Sequence, residues 1–272
     1  MVHHQPGVAT GWFEVVALAA LLVASVGYGT AAWRARRRGR WPAHRSLLWA
    51  AGALCAGGAI ALPVVASGQG SFTTHMVTHL LLGMLAPLLL VLSAPVTLAL
   101  RALPQGRARV LSAVLRSQVA RVLMHPAVAA VLNVGGLWVL YSTDLFHRMH
   151  NSDLVYAVVH VHLLVVGYVF TASIIGPDPD PHRASMRVRS LVLVLFIAAH
   201  SVLAKWLYAH PPDGVEAGDA RVGAQVMYYG GDAVDVVIIV LLFAGHARAT
   251  RRRRRSSHVR GRAARPSGKL HA

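Results

Sequence analysis

The chain has 272 residues, of which 55% are hydrophobic and only 14% charged, where a soluble domain of this length carries about a quarter charged residues. Its formal charge of +17 is bunched in arginine-rich stretches, a pattern that suits membrane loops better than a nucleic-acid face. Cys55 is the only cysteine, which excludes an intrachain disulfide and any thiol pair for a metal; with no activated nucleophile or phosphate-binding loop, the chain does not read as an enzyme.

In chain order, seven apolar runs are long enough to be expected as membrane spans, for which roughly 20 residues are needed. They are Gly11–Trp33, Ser46–Ser67, Phe72–Leu100, Met124–Tyr141, Asp153–Ile175, Val188–Tyr208 and Val226–His246, the fourth being the shortest. The leading "MVHHQPGVATG" lacks the basic region of a cleavable signal, so the first run is expected to be a retained helix. No alternating strand pattern competes, and lipid admits only internally hydrogen-bonded spans. The expectation is an all-α, seven-helix polytopic membrane bundle over residues 1–247, followed by a basic, disordered tail over 248–272. Proline at 87 predicts a kink or break in the third span near Leu85–Pro87, with Pro95 helping to close that span.

The loops set an orientation. "RARRRGRWPAHR", "RALPQGRARVLSAVLRSQVARV", "GPDPDPHRASMRVR" and "RATRRRRRSSHVRGRAAR" follow the odd-numbered spans, whereas "GQGS", "STDLFHRMHN" and "HPPDGVEAGDARVGAQ" are neutral or mixed. The positive-inside rule then predicts an outer N-terminus and a cytoplasmic C-terminus, in a cell membrane. The "RRRRR" run reads as a topology anchor beside anionic lipid.

With this orientation, polar residues of four helices fall at one depth. At 1.5 Å per residue, His75 and His79 lie roughly 5–10 Å from the outer face, and His160 and His162 about 10–13 Å. His200 lies about 12 Å in, and Asp232 and Asp235 about 9–14 Å. An ionisable group in lipid costs a few kcal/mol unless paired, hydrated or liganded, so one shared polar cavity is the economical expectation. His75 and His79 share a helix face at i,i+4, as do Asp232 and Asp235 at i,i+3. His160 and His162 point about 200° apart, and His162 is preferred. Asp235 could instead pair with Lys205. His125, at the opposite face, reads as structural, and His147, His150 and His210 fall in outer loops.

Imidazole suits copper, zinc, iron and nickel, and thioether adds preference for Cu(I); Met76 flanks the first pair. The expected metal set is therefore His75, His79, His162, His200 and Asp232, with His160, Asp235 and Met76 in reserve. Copper is the expected ion, while zinc stays open and bis-histidine haem is the main competitor. A copper or proton transporter is another reading, but the inner halves of the spans carry few polar residues.

"HMVTHLLLGMLAPLLLVLSAPVTLALRALP" resembles the third-span signature of the seven-span CtaG family of caa3-type cytochrome c oxidase assembly factors. "HVHLLVVGYVFTASIIGPDPDP", "RSLVLVLFIAAHSVLAKWLY" and "GAQVMYYGGDAVDVVIIVLLF" resemble its later helices in order and spacing, so the likeness covers about Phe72–Leu242. Where the family carries a regular aspartate–glutamine pair, this chain has "DARVGAQ", which leaves Asp219 without an assigned role. An unrelated single-span copper chaperone of the same name uses paired cysteines, which Cys55 alone cannot supply. The resemblance implies a role in making active oxidase, by supplying or inserting the Cu(B) ion into the subunit that carries it. Such a donor needs no nucleic acid, only lipid and its oxidase partner.

Overall fold

The computed structural model describes residues 11–65 and 71–263. These form thirteen helices: α1 (Trp12–Arg38), α2 (Ala43–Val65), α3 (Phe72–Leu80), α4 (Ala86–Leu92), α5 (Pro95–Ala102), α6 (Gln105–Leu115), α7 (Gln118–Leu123), α8 (Pro126–Ala130), α9 (Gly136–Ser142), α10 (Leu145–Asn151), α11 (Asp153–Ile175), α12 (Met186–Ala209) and α13 (Ala217–Ala263). Two π-helical turns, Leu81–Leu85 and Val131–Gly135, join α3 to α4 and α8 to α9. No strand occurs among the described residues. Six helical segments are long and apolar enough to cross a bilayer, and the bent pair Pro126–Ser142 and α10, at 79°, would make a seventh. The chain is a multi-pass membrane protein. The expected end of the second span at Ser67, the loop that follows it and the last residues of the tail, 264–272, lie outside the described residues.

The third segment, Phe72–Leu92, is the axle of the bundle. Of its most apolar stretch 61% is buried, against 11% for α1 and 22% for α2. It packs on α2, α11 and α13, while α1 reaches the bundle through α2 and α5. Outward-facing valines and leucines such as Val23, Leu54, Val161, Val194 and Val240 are exposed on the surrounding helices, as lipid contact requires.

Pro87 does not break this segment. The helix runs through it, and the disturbance is the π turn at Leu81–Leu85, immediately before the proline. Widening the ladder there is a way to accommodate a proline whose ring would crowd the carbonyl four residues back. The span ends at Leu92 rather than Leu100. Ala94 takes a left-handed conformation (φ 54°), and Pro95 opens α5 instead of closing the span, because the residue before a proline avoids the α region. The loop expected after the third span is itself helical, as α6 and α7, neither of which buries a residue. The helix that carries the seventh apolar run extends beyond it, as α13, to Ala263, since this stretch is rich in helix-favouring arginine and alanine and has no proline.

Two aspartates brace the third segment at its opposite ends. Asp219, at the head of α13, accepts from the backbone N–H of Phe72 (2.5 Å), from that of Thr73 (3.1 Å) and from Thr73 Oγ1 (2.6 Å). Asp178, in the turn after α11, does the same for α5, accepting from the N–H groups of Val96 (3.2 Å) and Thr97 (2.7 Å) and from Thr97 Oγ1 (2.5 Å). Each carboxylate thus caps a helix N-terminus that belongs to another element, satisfying orphan N–H groups and complementing the positive end of the dipole.

Glycines set the interhelical spacing. A Cβ on Gly223 would meet Phe72 at 2.6 Å, and one on Gly230 would strike Leu80; Phe72, Met76 and Leu80 form one ridge of α3, laid into that groove of α13. Gly231, turned about 100° from Gly230, admits α12 instead: its Cβ would stand 2.6 Å from Cε1 of His200. On the other side of the axle, a Cβ on Gly167 of α11 would collide with the carbonyl oxygen of Gly83 in the π turn. Small residues at such crossings let membrane helices approach closely.

Two predictions follow from these contacts. Asp219→Ala and Asp178→Ala should each lower stability by about 1–2 kcal/mol, additively in the double variant because the sites are far apart; thermal unfolding in detergent measures this. Gly167→Ala should cost more than Gly83→Ala in the same assay, because its new methyl meets backbone, whereas Gly83→Ala meets only the movable side chain of Leu163.

Candidate functional site

The tight α3–α13–α12 packing brings two histidines together. His79 and His200 stand with ring centroids 5.9 Å apart and planes 17° from parallel. Both are buried, and neither Nε2 meets a hydrogen-bond partner. His200 continues a column of near-parallel rings through Phe196 (6.0 Å) to Phe170 (4.1 Å). Asp235 lies one turn along α13 from Gly231, on the side that faces α12. It is 2% exposed, and neither carboxylate oxygen has a partner. Lys205, the alternative partner that the sequence offers for Asp235, places Nζ 5.3 Å over the ring of Tyr228.

On the other flank of α3 lies a cavity of about 280 Å³ between α3, the π turn with α9, and α11. His75, His79, His160 and His162 line it, with Asn133 and Tyr141. His79 therefore belongs to both places, one face to the cavity and one to His200.

The other three histidines of the cavity are partnered. His75 Nε2 and Tyr141 Oη share a hydrogen bond of 2.9 Å, and that hydroxyl also stands 3.8 Å from Met76 Sδ. The His75 ring also stands 5.3 Å from that of Phe146 and 6.3 Å from that of His150, both on α10. His160 donates Nδ1–H to the carbonyl of Tyr156 (2.8 Å). His162 donates Nε2–H to the carbonyl of Leu132 within the second π turn (3.1 Å), beside Gly136, where a Cβ would lie 2.8 Å from that nitrogen.

Several placements differ from the sequence reading. Both His160 and His162 line the cavity; His160 is the buried member of the pair and His162 the exposed one, its Nε2 on the carbonyl of Leu132. Asp232 is only half-buried and lines no part of the cavity, whereas Asp235 is buried, because Asp235 shares the helix face of Gly231. His200 and Asp235 are not among the residues that line the cavity, and His200 adjoins it through His79. Among the described residues no three histidine, cysteine, aspartate or glutamate side chains stand where they could jointly hold a metal ion. His125 is exposed at the head of α8.

Three participants were not singled out from the sequence: Tyr141, Asn133 and Thr78. Tyr141 and Asn133 line the cavity beside the histidines, and Thr78 adds a buried hydroxyl without a partner. A lone asparagine in the apolar run "VLNVGG" was the available signal for the second.

Chemically, the layer combines unpartnered imidazole nitrogens, an unpartnered carboxylate and a thioether in a low-polarity setting. Such donors suit a soft or borderline transition metal, or a proton.

Comparison with known proteins places this arrangement. The uncharacterized proteins Mb0105 of Mycobacterium bovis and MT0111 of Mycobacterium tuberculosis are each 38% identical over 185 residues, covering 65% of this chain and 28% of theirs. The uncharacterized protein ML1998 of Mycobacterium leprae is 30% identical over 272 residues, covering 89% of this chain and 40% of its own. The chain thus spans less than half the length of the curated relatives it matches. No solved structure matches it. The family model described as cytochrome c oxidase caa3 assembly factor (Caa3_CtaG) matches residues 26–249. That match takes in the whole histidine layer, and the chain belongs to the family of cytochrome c oxidase caa3 assembly factors.

Proposed function

We propose that this chain serves oxidase assembly as a membrane copper donor, with the ion as its cargo and the oxidase subunit that carries Cu(B) as its recipient. The observation that carries the reading is the pair of buried, unpartnered Nε2 atoms of His79 and His200 on adjacent helices. A polar atom left without a partner in such a setting costs several kcal/mol, a cost that a bound cation offsets. Two neutral imidazoles are a sufficient ligand set for monovalent copper, which tolerates low coordination numbers. Asp235 supplies counter-charge in the same layer. His75, with Tyr141 and Met76, offers softer donors toward α10, where His150 adds another imidazole.

The arginine-rich ends of the spans support a cytoplasmic placement of the C-terminus in the cell membrane, with the histidine layer toward the outer face. In a Cys55→Ser background, Asp213→Cys should react with an impermeant thiol reagent on intact cells and Gly106→Cys should not. The opposite pattern would invert the orientation and detach the layer from the outer face.

Copper analysis of the full chain, purified without a histidine tag, tests the cargo. Wild type and His125→Ala should retain copper, while His79→Ala and His200→Ala should lose most of it and remain in the membrane. Retention of copper by both of those variants would refute the site. Affinity should also depend on pH with a definite sign. Copper needs the neutral ring, so protons compete with it and binding should weaken as pH falls.

A further inference from the structure

A second chamber lies at the arginine-rich end, far along the spans from the histidines. Its volume is about 690 Å³. Three elements terminate around it: α4 at Leu92, α11 at Ile175, and α12, which starts at Met186. A level at which three spanning segments begin or end is the level of the lipid headgroups. Its lining combines apolar and cationic side chains: Leu92, Ile175, Leu241 and Leu242 with Arg183, Arg189, His246 and Arg248.

The cations are not spent on carboxylates. Arg189 donates Nη1–H to the carbonyl of Ile174 (2.7 Å), which fixes the guanidinium at the end of α11, and its Nε has no partner. Arg183 bonds the carbonyls of Gly176 and Asp178. The nearby carboxylates are engaged elsewhere: Asp178 on Thr97 and Val96, and Asp180 on the N–H of His182 (2.8 Å). Arg248 is exposed on α13. Three guanidinium groups thus line one chamber, none of them in an ion pair with a carboxylate among the described residues, beside apolar side chains at headgroup depth.

We propose that this chamber binds the phosphodiester headgroup of an acidic phospholipid, with the acyl chains lying against the apolar side chains. Guanidinium forks match phosphate oxygens in geometry as well as in charge. The apolar side chains have no use for a free phosphate ion, which is why the lipid is the preferred source of that group. The site does not depend on the copper reading. Its effect on the fold would be to tie the ends of α4, α11 and α12 to α13, the helix that carries Asp235.

Titration of the purified full chain in neutral detergent with phosphatidylglycerol, followed by native mass spectrometry, tests it. Phosphatidylcholine and inorganic phosphate form the comparison arms. One phosphatidylglycerol should bind in preference to phosphatidylcholine. Arg248→Gln should weaken that binding roughly fivefold, and Arg183→Gln with Arg248→Gln more than about tenfold. Arg107→Gln with Arg109→Gln, on α6 outside the chamber, should leave it unchanged. Since Arg248 makes no hydrogen bond among the described residues, its variant keeps the test alive if the double variant folds poorly. Equal binding of phosphatidylcholine, or equal weakening by the α6 pair, would overturn the proposal. Displacement of the lipid by millimolar inorganic phosphate would overturn the lipid assignment in favour of a free anion.

Discussion

The carboxylate of Asp219 on the first N–H groups of α3 fixes the height at which every side chain of that helix stands. Because the segment Phe72–Leu92 is the most buried in the bundle, this one contact sets the register between the axle and α13. Asp178 repeats the device at the far end, on α5. A helix terminus near the membrane boundary has few waters to satisfy it, so a charged cap from a neighbour both removes a penalty and locks a position. His79 can meet His200 only because that register holds.

Close approach completes what the caps begin. Lipid provides no hydrophobic drive between helices, and contact must come from packing. Gly223 and Gly230 accept the Phe72–Met76–Leu80 ridge, and Gly231 accepts His200. Two adjacent glycines therefore serve two different neighbours, which is what draws α3 and α12 to the same stretch of α13. The two π turns act in the same region. One follows His79 directly, and the other carries Asn133 and offers the Leu132 carbonyl to His162. π turns are frequent where function demands a local departure from regular helix.

The polar layer is divided by whether its members are satisfied. His75, His160 and His162 have hydrogen-bond partners, whereas His79, His200 and Asp235 do not. The first group is held in place by the fold. The second carries an unmet cost, and it sits where α3, α12 and α13 come closest. That contrast is the physical reason for centring the copper proposal on His79 and His200 rather than on the cavity as a whole.

The sequence by itself determined the class of the molecule. Apolar run length and the scarcity of charge required membrane helices, and the spacing of His75 and His79 required a shared face. Resemblance in four helices pointed to the family, and the family match bears that out. Run length could not show that the third apolar stretch stops at Leu92, since it is interrupted only by Ser93 and the left-handed Ala94 before apolar residues resume. Depth counting brought His200 near His79 but could not show that Asp235 is the buried aspartate of its pair or that His160 is more buried than His162. Those differences depend on helix rotation, which is set by interhelical contact: Gly231 against α12, and the Leu132 carbonyl on His162. The aspartate caps were equally hidden, because Asp219 and Phe72 are 147 residues apart. Linear order carries period and hydropathy, but which groups are left without a partner is decided only when distant helices close on one another.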